Sequence, residues 1–234
     1  CWSLVGSEMC IRDRFNINKE DKIGIFEVGM DKKGEIDFLT KKIMPNIGVI
    51  TNISYAHIKN FKNLWGVAQA KSEIINNIEK GGYIILNADD NFFSFFKSKS
   101  IKKKLKIVTF GVKKKSDVSL INIKKKKSLS VIYINFNKKK LKFIVKKNLE
   151  NYIYNILSTL AVISIYFDLE KLDKFFFNDY QFPEGRGDLN SVKLNKKKIN
   201  LIDESYNSNP LSLQFALNKF CLLYTSPSPR DSSK

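Results

Sequence analysis

The stretch from Asn46 to Gly82 constrains the fold of this chain more than any other part of the sequence. It opens with Ile47-Gly48-Val49-Ile50, an apolar run that ends at polar Thr51-Asn52, as a buried strand does when it leads into a loop. Apolar residues then recur at helical spacing until Gly81-Gly82, a pair that ends helices. These residues are Leu64, Val67, Ala68, Ile74, Ile75 and Ile78. The pattern predicts a strand, a loop and a helix in succession.

Two residues of this unit are candidates for chemistry. His57 is the only histidine of the chain and lies on the predicted loop, whereas Lys71 interrupts the apolar face of the predicted helix. Each has an ordinary alternative. A histidine after a strand is often a solvated loop residue, and a lysine beside an apolar face usually extends its amine into water.

A second strand pattern lies upstream and ends in a carboxylate. Lys22-Ile23-Gly24-Ile25-Phe26 leads directly into Glu27, which places that side chain at the carboxyl end of a predicted parallel strand. Ligands of open α/β sheets bind at that edge. Glu27 and His57 are therefore predicted to share one site, whose oxygen and imidazole ligands suit Mg²⁺ or Mn²⁺.

The rest of the chain continues this alternation and then departs from it. A parallel, doubly wound α/β sheet is predicted up to Phe110, followed by an antiparallel extension from Val118 to Val145, where lysine-rich turns separate three short strands. The other predicted strands are Tyr83 to Leu86, Leu105 to Phe110, and a pair at Ser191 to Leu194 and Ile199 to Ile202. The other predicted helices are a short one around Ile36 to Ile43, then Glu150 to Phe167, Leu169 to Phe177 and Leu211 to Phe220.

The formal charge of +18 raises the question of a polyanionic partner. The lysines occur as scattered runs in a chain equally rich in Ile, Asn and Phe, which is the bias that AT-rich codons produce. General composition therefore explains the charge better than a nucleic-acid site does. A basic nucleic-acid-binding module remains the alternative from another functional class. No apolar run approaches the ~20 residues that a membrane-spanning helix needs.

All three cysteines lie in two terminal segments, residues 1–14 and 221–234. These segments resemble translated sequencing adapters, and we expect them to be non-native. The residues between them contain no cysteine, which excludes disulfides and cysteine metal sites there and fits a cytoplasmic protein.

Several motifs, taken in order, resemble one protein family. FEVG, GEIDFLT, TNISYAHIKNF, AKSEI and NADD are followed far downstream by EGRGD and LIDESYNSNP. This succession resembles the Mur ligases, and within them the branch that joins D-alanyl-D-alanine to UDP-N-acetylmuramoyl-tripeptide. The resemblance implies part of a P-loop NTPase-like central ATPase domain at residues 15–183 and the start of a Rossmann-like C-terminal ligase domain at residues 184–220. The phosphate-binding pattern GxxxxGK[ST] occurs nowhere in the chain, so we expect a fragment that is inactive by itself.

The resemblance also implies cofactors, substrates and site residues. It implies ATP and Mg²⁺, an acyl-phosphate intermediate, and a cytoplasmic monomer with neither a nucleic-acid partner nor a membrane insertion. Glu27, His57 and Lys71 would hold metal ions, with Lys71 carbamylated and with Lys71 and His57 serving catalysis. The residues implied in nucleotide binding are Asn151, Arg186, Asp203, Glu204 and Asn207.

Some of these implied roles have ordinary alternatives. Asn151 and Asn155 could be a polar stripe facing solvent, and the family pattern GxHNxxN lacks its Gly and His here. Arg186 suits phosphate recognition or stacking on a base, but it could equally be an arginine of a surface turn. MurE, which adds diaminopimelate or lysine, and folylpolyglutamate synthase would share the ATP chemistry, although the SYNSNP and TNISYAH forms favour the D-alanyl-D-alanine branch.

Overall fold

The computed structural model describes residues 20–54, 61–181, 188–194 and 197–203, together with Leu217. The chain divides into two compact units, Cys1–Asn178 and Asp179–Lys234. The terminal segments expected to be non-native, the predicted helix at Leu211 to Phe220 apart from Leu217, and the predicted domain boundary between residues 183 and 184 lie outside the described residues. Those expectations stay predictions.

The first unit is built on a six-stranded sheet whose strands lie side by side in chain order. Strands β1 to β4 run parallel and β4 to β6 antiparallel, which confirms the α/β sheet with an antiparallel extension. The strand bounds are β1 Ile47–Ile50, β2 Tyr83–Asn87, β3 Lys106–Gly111, β4 Val118–Lys125, β5 Leu129–Phe136 and β6 Lys139–Lys146.

Helices connect β1 to β2 and β2 to β3, a turn joins β3 to β4, and the helices cover the sheet. Their bounds are α1 Glu35–Ile43, α2 Leu64–Lys71, α3 Ile74–Asn77, α4 Phe93–Lys102 and α5 Ile153–Ile163, with 3₁₀ turns at Lys147–Tyr152 and Leu169–Lys171. Ile84 and Leu86 of β2 belong to a buried cluster with Phe96 of α4. Ile85 points to the opposite face by strand alternation and is also fully buried, and α5 packs against β2, β3 and β4. Both faces of β2 are therefore covered, as a parallel strand requires.

The helix predicted across Leu64 to Ile78 is interrupted. α2 ends at Lys71, and α3 begins at Ile74 after a tightened turn in which Glu73 N–H donates to the Ala70 carbonyl at 3.0 Å. At this break Ile75 is buried in the cluster against the sheet, whereas Ile74 packs against both that cluster and the one that contains Met30 and Ala70.

The helix predicted from Leu169 to Phe177 is wrong. Only one 3₁₀ turn forms, and Asp168 and Asp173 each accept an N–H two residues on, a local bond that competes with helix formation. The Lys174 carbonyl accepts the Ile144 N–H of β6 at 2.7 Å, so this backbone bonds to the sheet instead. The helix predicted from Glu150 to Phe167 is shorter than expected, because its first turn is 3₁₀ and α5 ends at Ile163.

The strand predicted at Lys22 to Phe26 is also wrong. Residues 21–30 form no regular element, and the side chains of Ile23 and Ile25 are 54% and 45% exposed. A parallel strand needs a neighbour to complete its ladder and cover on both faces. Among the described residues β1 pairs only with β2, so this apolar run has neither.

The described part of the second unit is an antiparallel hairpin. β7 spans Asp188–Leu194 and β8 spans Lys197–Asp203, with Asp188 opposite Asp203 and Leu194 opposite Lys197. The hairpin confirms the strand pair predicted there. Across the described ranges, no helix is long and apolar enough to cross a membrane.

Candidate functional site

A cleft of about 340 Å³ opens where β1, β2 and β3 end. Its lining comes from the residues after β1 and β2, from the end of β3 and from α5: Thr51, Asn52, Asn87, Asp89, Asp90, Asn91, Phe110, Tyr154 and Asn155. Open α/β sheets bind ligands outside the carboxyl ends of their strands. The lining is rich in amides and carboxylates, which suits a polar ligand.

Three side chains from different elements hold the loop that follows β1. Asn87 Nδ2 donates to the Thr51 carbonyl at 3.0 Å, and Lys71 Nζ donates to the Asn52 carbonyl at 2.9 Å. The Ile53 N–H donates to Asp90 Oδ2 at 2.8 Å. Backbone groups of three consecutive residues are thus fixed before the chain enters residues 55–60, which lie outside the described residues and include His57.

Lys71 is the last residue of α2 and reaches the cleft through its contact with Asn52. Burial lowers the pKa of its amine, and the nearby carboxylate of Asp90 offsets part of that effect. Lys71 is half-buried, and its amine bonds to a backbone carbonyl beside the cleft.

Asp89 organises the part of the cleft formed by the residues after β3 and by α5. Its carboxylate accepts N–H bonds from Val112 at 2.6 Å, Lys113 at 3.0 Å and Lys114 at 2.7 Å, and the Tyr154 hydroxyl donates to it at 3.1 Å. Burial alone would raise the pKa of Asp89, but these bonds favour the carboxylate and hold its pKa below the ordinary value. Burial, and then the bond to Asp89, raise the pKa of Tyr154 to about 12.

The carboxylates of the cleft are committed to backbone groups. Asp90 accepts the Ile53 N–H on one oxygen and the Phe92 N–H on the other, at 2.8 Å each. Asp89 accepts two backbone N–H groups on Oδ2 and one on Oδ1. Both residues therefore shape the cleft by holding backbone N–H groups in place.

The three residues predicted to hold Mg²⁺ are not seen together among the described residues. Within the described ranges, no group of three or more His, Cys, Asp or Glu side chains could hold a metal ion. Glu27 is exposed on the irregular segment 21–30, Lys71 donates a hydrogen bond as an amine, and His57 lies outside the described residues.

The residues predicted to bind nucleotide lie in different places. Asn151 is exposed on the 3₁₀ turn before α5 and does not line the cleft, whereas Asn155 does. Asp203 is the last residue of β8 in the second unit. Arg186, Glu204 and Asn207 lie outside the described residues.

Sequence reasoning assigned no role to Asn87, Asp89, Asp90 or Tyr154. The first three belong to the NADD motif at the end of a buried strand, which is the same signal that singled out Glu27 and His57. That signal could have found them. Nothing in the sequence marks Tyr154, because its role depends on how α5 packs beside β2 and β3.

Comparison with known proteins adds to this geometry. A sequence model of the Mur ligase middle domain matches residues 12–163. The UDP-N-acetylmuramoyl-tripeptide--D-alanyl-D-alanine ligase of Buchnera aphidicola subsp. Baizongia pistaciae is 33% identical over 203 residues, which are 86% of this chain and 43% of that protein. The ligase of the same name from Rickettsia prowazekii is 30% identical over 201 residues, 85% of this chain and 43% of that protein.

Two solved structures are similar in fold. MurF from Acinetobacter baumannii has a TM-score of 0.74 and 25% identity, covering 88% of this chain and 44% of that one. The MurF ligase of Thermotoga maritima, solved in complex with ADP, has a TM-score of 0.70 and 19% identity, covering 88% of this chain and 46% of that one. The chain spans less than half the length of these relatives.

Proposed function

This chain belongs to the Mur ligase family, and from that premise we propose that the protein of which it forms part joins D-alanyl-D-alanine to UDP-N-acetylmuramoyl-tripeptide in an ATP-dependent reaction. The observation that carries the proposal is the match over 86% of the chain to a curated relative of that name. A cleft with polar lining at the strand ends agrees with such substrates.

The proposed reaction has two steps. The terminal carboxylate of the tripeptide attacks the γ-phosphoryl group of ATP, giving an acyl phosphate and ADP. The amine of D-alanyl-D-alanine then attacks the acyl carbon, so that an amide forms and inorganic phosphate leaves. Mg²⁺, when bound, neutralises phosphate charge in both steps.

In that reaction the role of this chain's residues is to position groups around the cleft. The loop from Thr51 to Ile53 is held at three successive points, so the segment that carries His57 starts from a fixed place. The amides of Asn87 and Asn155 offer donors and acceptors to a polar substrate. Fixed dipoles and positioned reactants supply much of the rate in phosphoryl transfer.

We also propose that Glu27, His57 and a carbamylated Lys71 hold Mg²⁺. The partly buried amine and lowered pKa of Lys71 support this, because CO₂ reacts with the neutral amine, and burial favours that form. A carbamate replaces a cation with an oxygen-bearing anion, which is a ligand that Mg²⁺ accepts.

The family resemblance supports further proposals for the nucleotide site and for where the enzyme acts. Asn151, Arg186, Asp203, Glu204 and Asn207 would contact the nucleotide, and the enzyme would act in the cytoplasm as a monomer without a nucleic-acid partner.

The proposal is tested by offering competing acceptors to the full-length protein. UDP-N-acetylmuramoyl-tripeptide and ATP·Mg²⁺ are supplied with D-alanyl-D-alanine, L-lysine or meso-diaminopimelate, and a parallel reaction replaces the nucleotide-sugar substrate with a folate and glutamate. We expect ADP release and a product of the expected mass only with D-alanyl-D-alanine. A product with another acceptor, and none with D-alanyl-D-alanine, would assign the protein to a different branch of the family.

A further inference from the structure

The break between α2 and α3 consists of residues that each reach a different element. Lys71 Nζ bonds to the loop after β1 through the Asn52 carbonyl. Ser72 receives Lys99 Nζ from α4, at 2.9 Å on its hydroxyl and 3.1 Å on its carbonyl. The next residue, Glu73, reaches α1 with both carboxylate oxygens. One short turn is therefore joined to three other parts of the unit.

Glu73 provides the N-terminal cap that α1 lacks in its own sequence. The capping position is Gly34, which has no side chain and adopts φ +94°, so no local oxygen accepts the first N–H groups of the helix. Glu73 accepts the Gly34 N–H at 2.9 and 3.1 Å and the Asp37 N–H at 3.1 Å, and its side chain is buried. A carboxylate at this end of a helix is favourable both as a cap and in the helix dipole.

The helix capped by Glu73 follows the segment that carries Glu27. α1 begins at Glu35. In the stretch between Glu27 and α1, Val28 and Met30 pack in an apolar cluster with Val67 and Ala70 of α2. The Glu27 segment is thus attached to the helix of Lys71 by apolar packing, and to the residues after Lys71 by the cap.

Lys99 provides a positive charge near the buried carboxylate of Glu73. Burial lowers the pKa of the Lys99 amine, and the charges of Glu73 and Asp37 act against that effect, so the cation lies within the field of both carboxylates. A buried carboxylate is stable only when it is bonded and its charge is compensated. Here backbone N–H groups provide the bonds and Lys99 provides the opposite charge.

We propose that Glu73, supported by Lys99, is a positioning residue that sets where Glu27 stands relative to Lys71. Both oxygens of Glu73 are used by α1, so Glu73 acts through the two ligands and does not bind the metal. The inference rests on the proposed function, in which Glu27 and Lys71 are ligands. Groups that orient metal ligands typically change metal affinity by about 10- to 100-fold when they are removed.

The test uses the full-length protein and measures its affinity for metal separately from its amide-forming activity. Mn²⁺ is titrated in the presence of ADP, and binding is read from the loss of the free-Mn²⁺ electron paramagnetic resonance signal. Glu73→Gln keeps the size of the side chain but removes its charge, and we expect about 10-fold weaker Mn²⁺ binding or more. Glu79→Gln is the matched control, because Glu79 is exposed near the same turn and bonds to Asn46; its Mn²⁺ affinity is expected to stay at the wild-type value.

Lys99→Met extends the test if Glu73→Gln folds poorly. It keeps an unbranched side chain but loses the charge and both bonds to Ser72. We expect weaker Mn²⁺ binding by a smaller factor, and in both variants faster amide hydrogen exchange at Gly34 and Asp37. Mn²⁺ affinity within about two-fold of wild type in a folded Glu73→Gln protein would overturn the inference. A protein that shows the expected Mn²⁺ effect but does not ligate D-alanyl-D-alanine would contradict the proposed function and leave the positioning role standing.

Discussion

Lys71 is the residue at which the ordinary and the catalytic interpretation differ most. As an amine it holds the Asn52 carbonyl, a bond that arginine can also make. As a carbamate it would present an anion, which arginine cannot become. The two interpretations therefore predict different results for the same substitutions.

In the full-length enzyme we expect Lys71→Ala to lose nearly all turnover and Lys71→Arg to be no better. A small carboxylic acid that fills the space left in Lys71→Ala should restore part of the activity by supplying the missing anion. Turnover is measured with added acetate and, as the control, with sodium chloride at the same ionic strength. An active Lys71→Arg enzyme would remove the carbamate from the mechanism.

Glu27→Ala and His57→Ala should each lower kcat by orders of magnitude while the melting temperature stays close to that of the wild type. The expectation for stability at Glu27 follows from its exposed place on the irregular segment, since exposed substitutions usually change stability by about 0.5 kcal/mol or less. Steady-state kinetics and thermal unfolding on the same preparations provide the measurement. Activity like that of the wild type in either variant would refute its role as a ligand.

The turn that joins β3 to β4 is held by a carboxylate from outside it, in addition to the bonds that Asp117 makes to Thr109. Asp89, placed after β2, accepts N–H bonds from Val112, Lys113 and Lys114 and one bond from Tyr154 of α5. This carboxylate connects three elements at the wall of the cleft. Its loss should loosen the turn and the start of α5 together.

We expect Asp89→Asn to lower the free energy of unfolding at pH 7 by about 1–2 kcal/mol, a value that allows for the partial exposure of the carboxylate. The pKa of Asp89 is lower in the folded state than its ordinary value of about 3.9. Its stabilisation is therefore present above about pH 3.9 and is lost as the pH falls through the folded-state pKa. Urea unfolding of both proteins from pH 7 down to pH 3 should show the two stabilities converging in acid.

Tyr154→Phe is the companion variant, because it removes only one of the four donors to Asp89. A smaller loss of about 1 kcal/mol is expected. If the difference between wild type and Asp89→Asn were the same at every pH, the ionised carboxylate would not be the source of the stabilisation.

The sequence predicts the strands of this fold better than its helices. β1, β2 and β3 are runs of β-branched and apolar residues bounded by polar turns, and the alternation from Val118 to Val145 marks the antiparallel strands correctly. The failures occur where bonds to distant residues decide the structure. The segment after Leu169 bonds to β6 through Lys174, which no local pattern reveals.

The site is less predictable than the sheet for the same reason. The rule that polar residues at strand ends face a cleft finds Asn87 and Asp90, yet it cannot say that Asp90 is occupied by the N–H groups of Ile53 and Phe92. Glu73 resembles a surface residue of a helix in sequence, but it is buried as the cap of a helix 36 to 39 residues upstream. Such roles depend on the packing of separate elements.

The whole chain contains the cleft and the loop after β1, but it lacks the sequence pattern that binds nucleotide phosphates. The 234 residues contain no GxxxxGK[ST], the pattern whose backbone N–H groups bind nucleotide phosphates. We therefore expect this chain by itself to bind ATP·Mg²⁺ very weakly, as measured by titration calorimetry. A dissociation constant in the low micromolar range would contradict this, and it would mean that the cleft suffices for nucleotide binding.

The central claim is that the protein forms an amide through an acyl phosphate made from ATP. The most direct test labels both oxygens of the terminal carboxylate of UDP-N-acetylmuramoyl-tripeptide with ¹⁸O and follows the products of the full-length enzyme by mass spectrometry. We predict ATP-dependent formation of the D-alanyl-D-alanine adduct, with one ¹⁸O retained in the new amide and one transferred to inorganic phosphate. An adduct formed without ¹⁸O in the phosphate, or no adduct at all, would contradict the account.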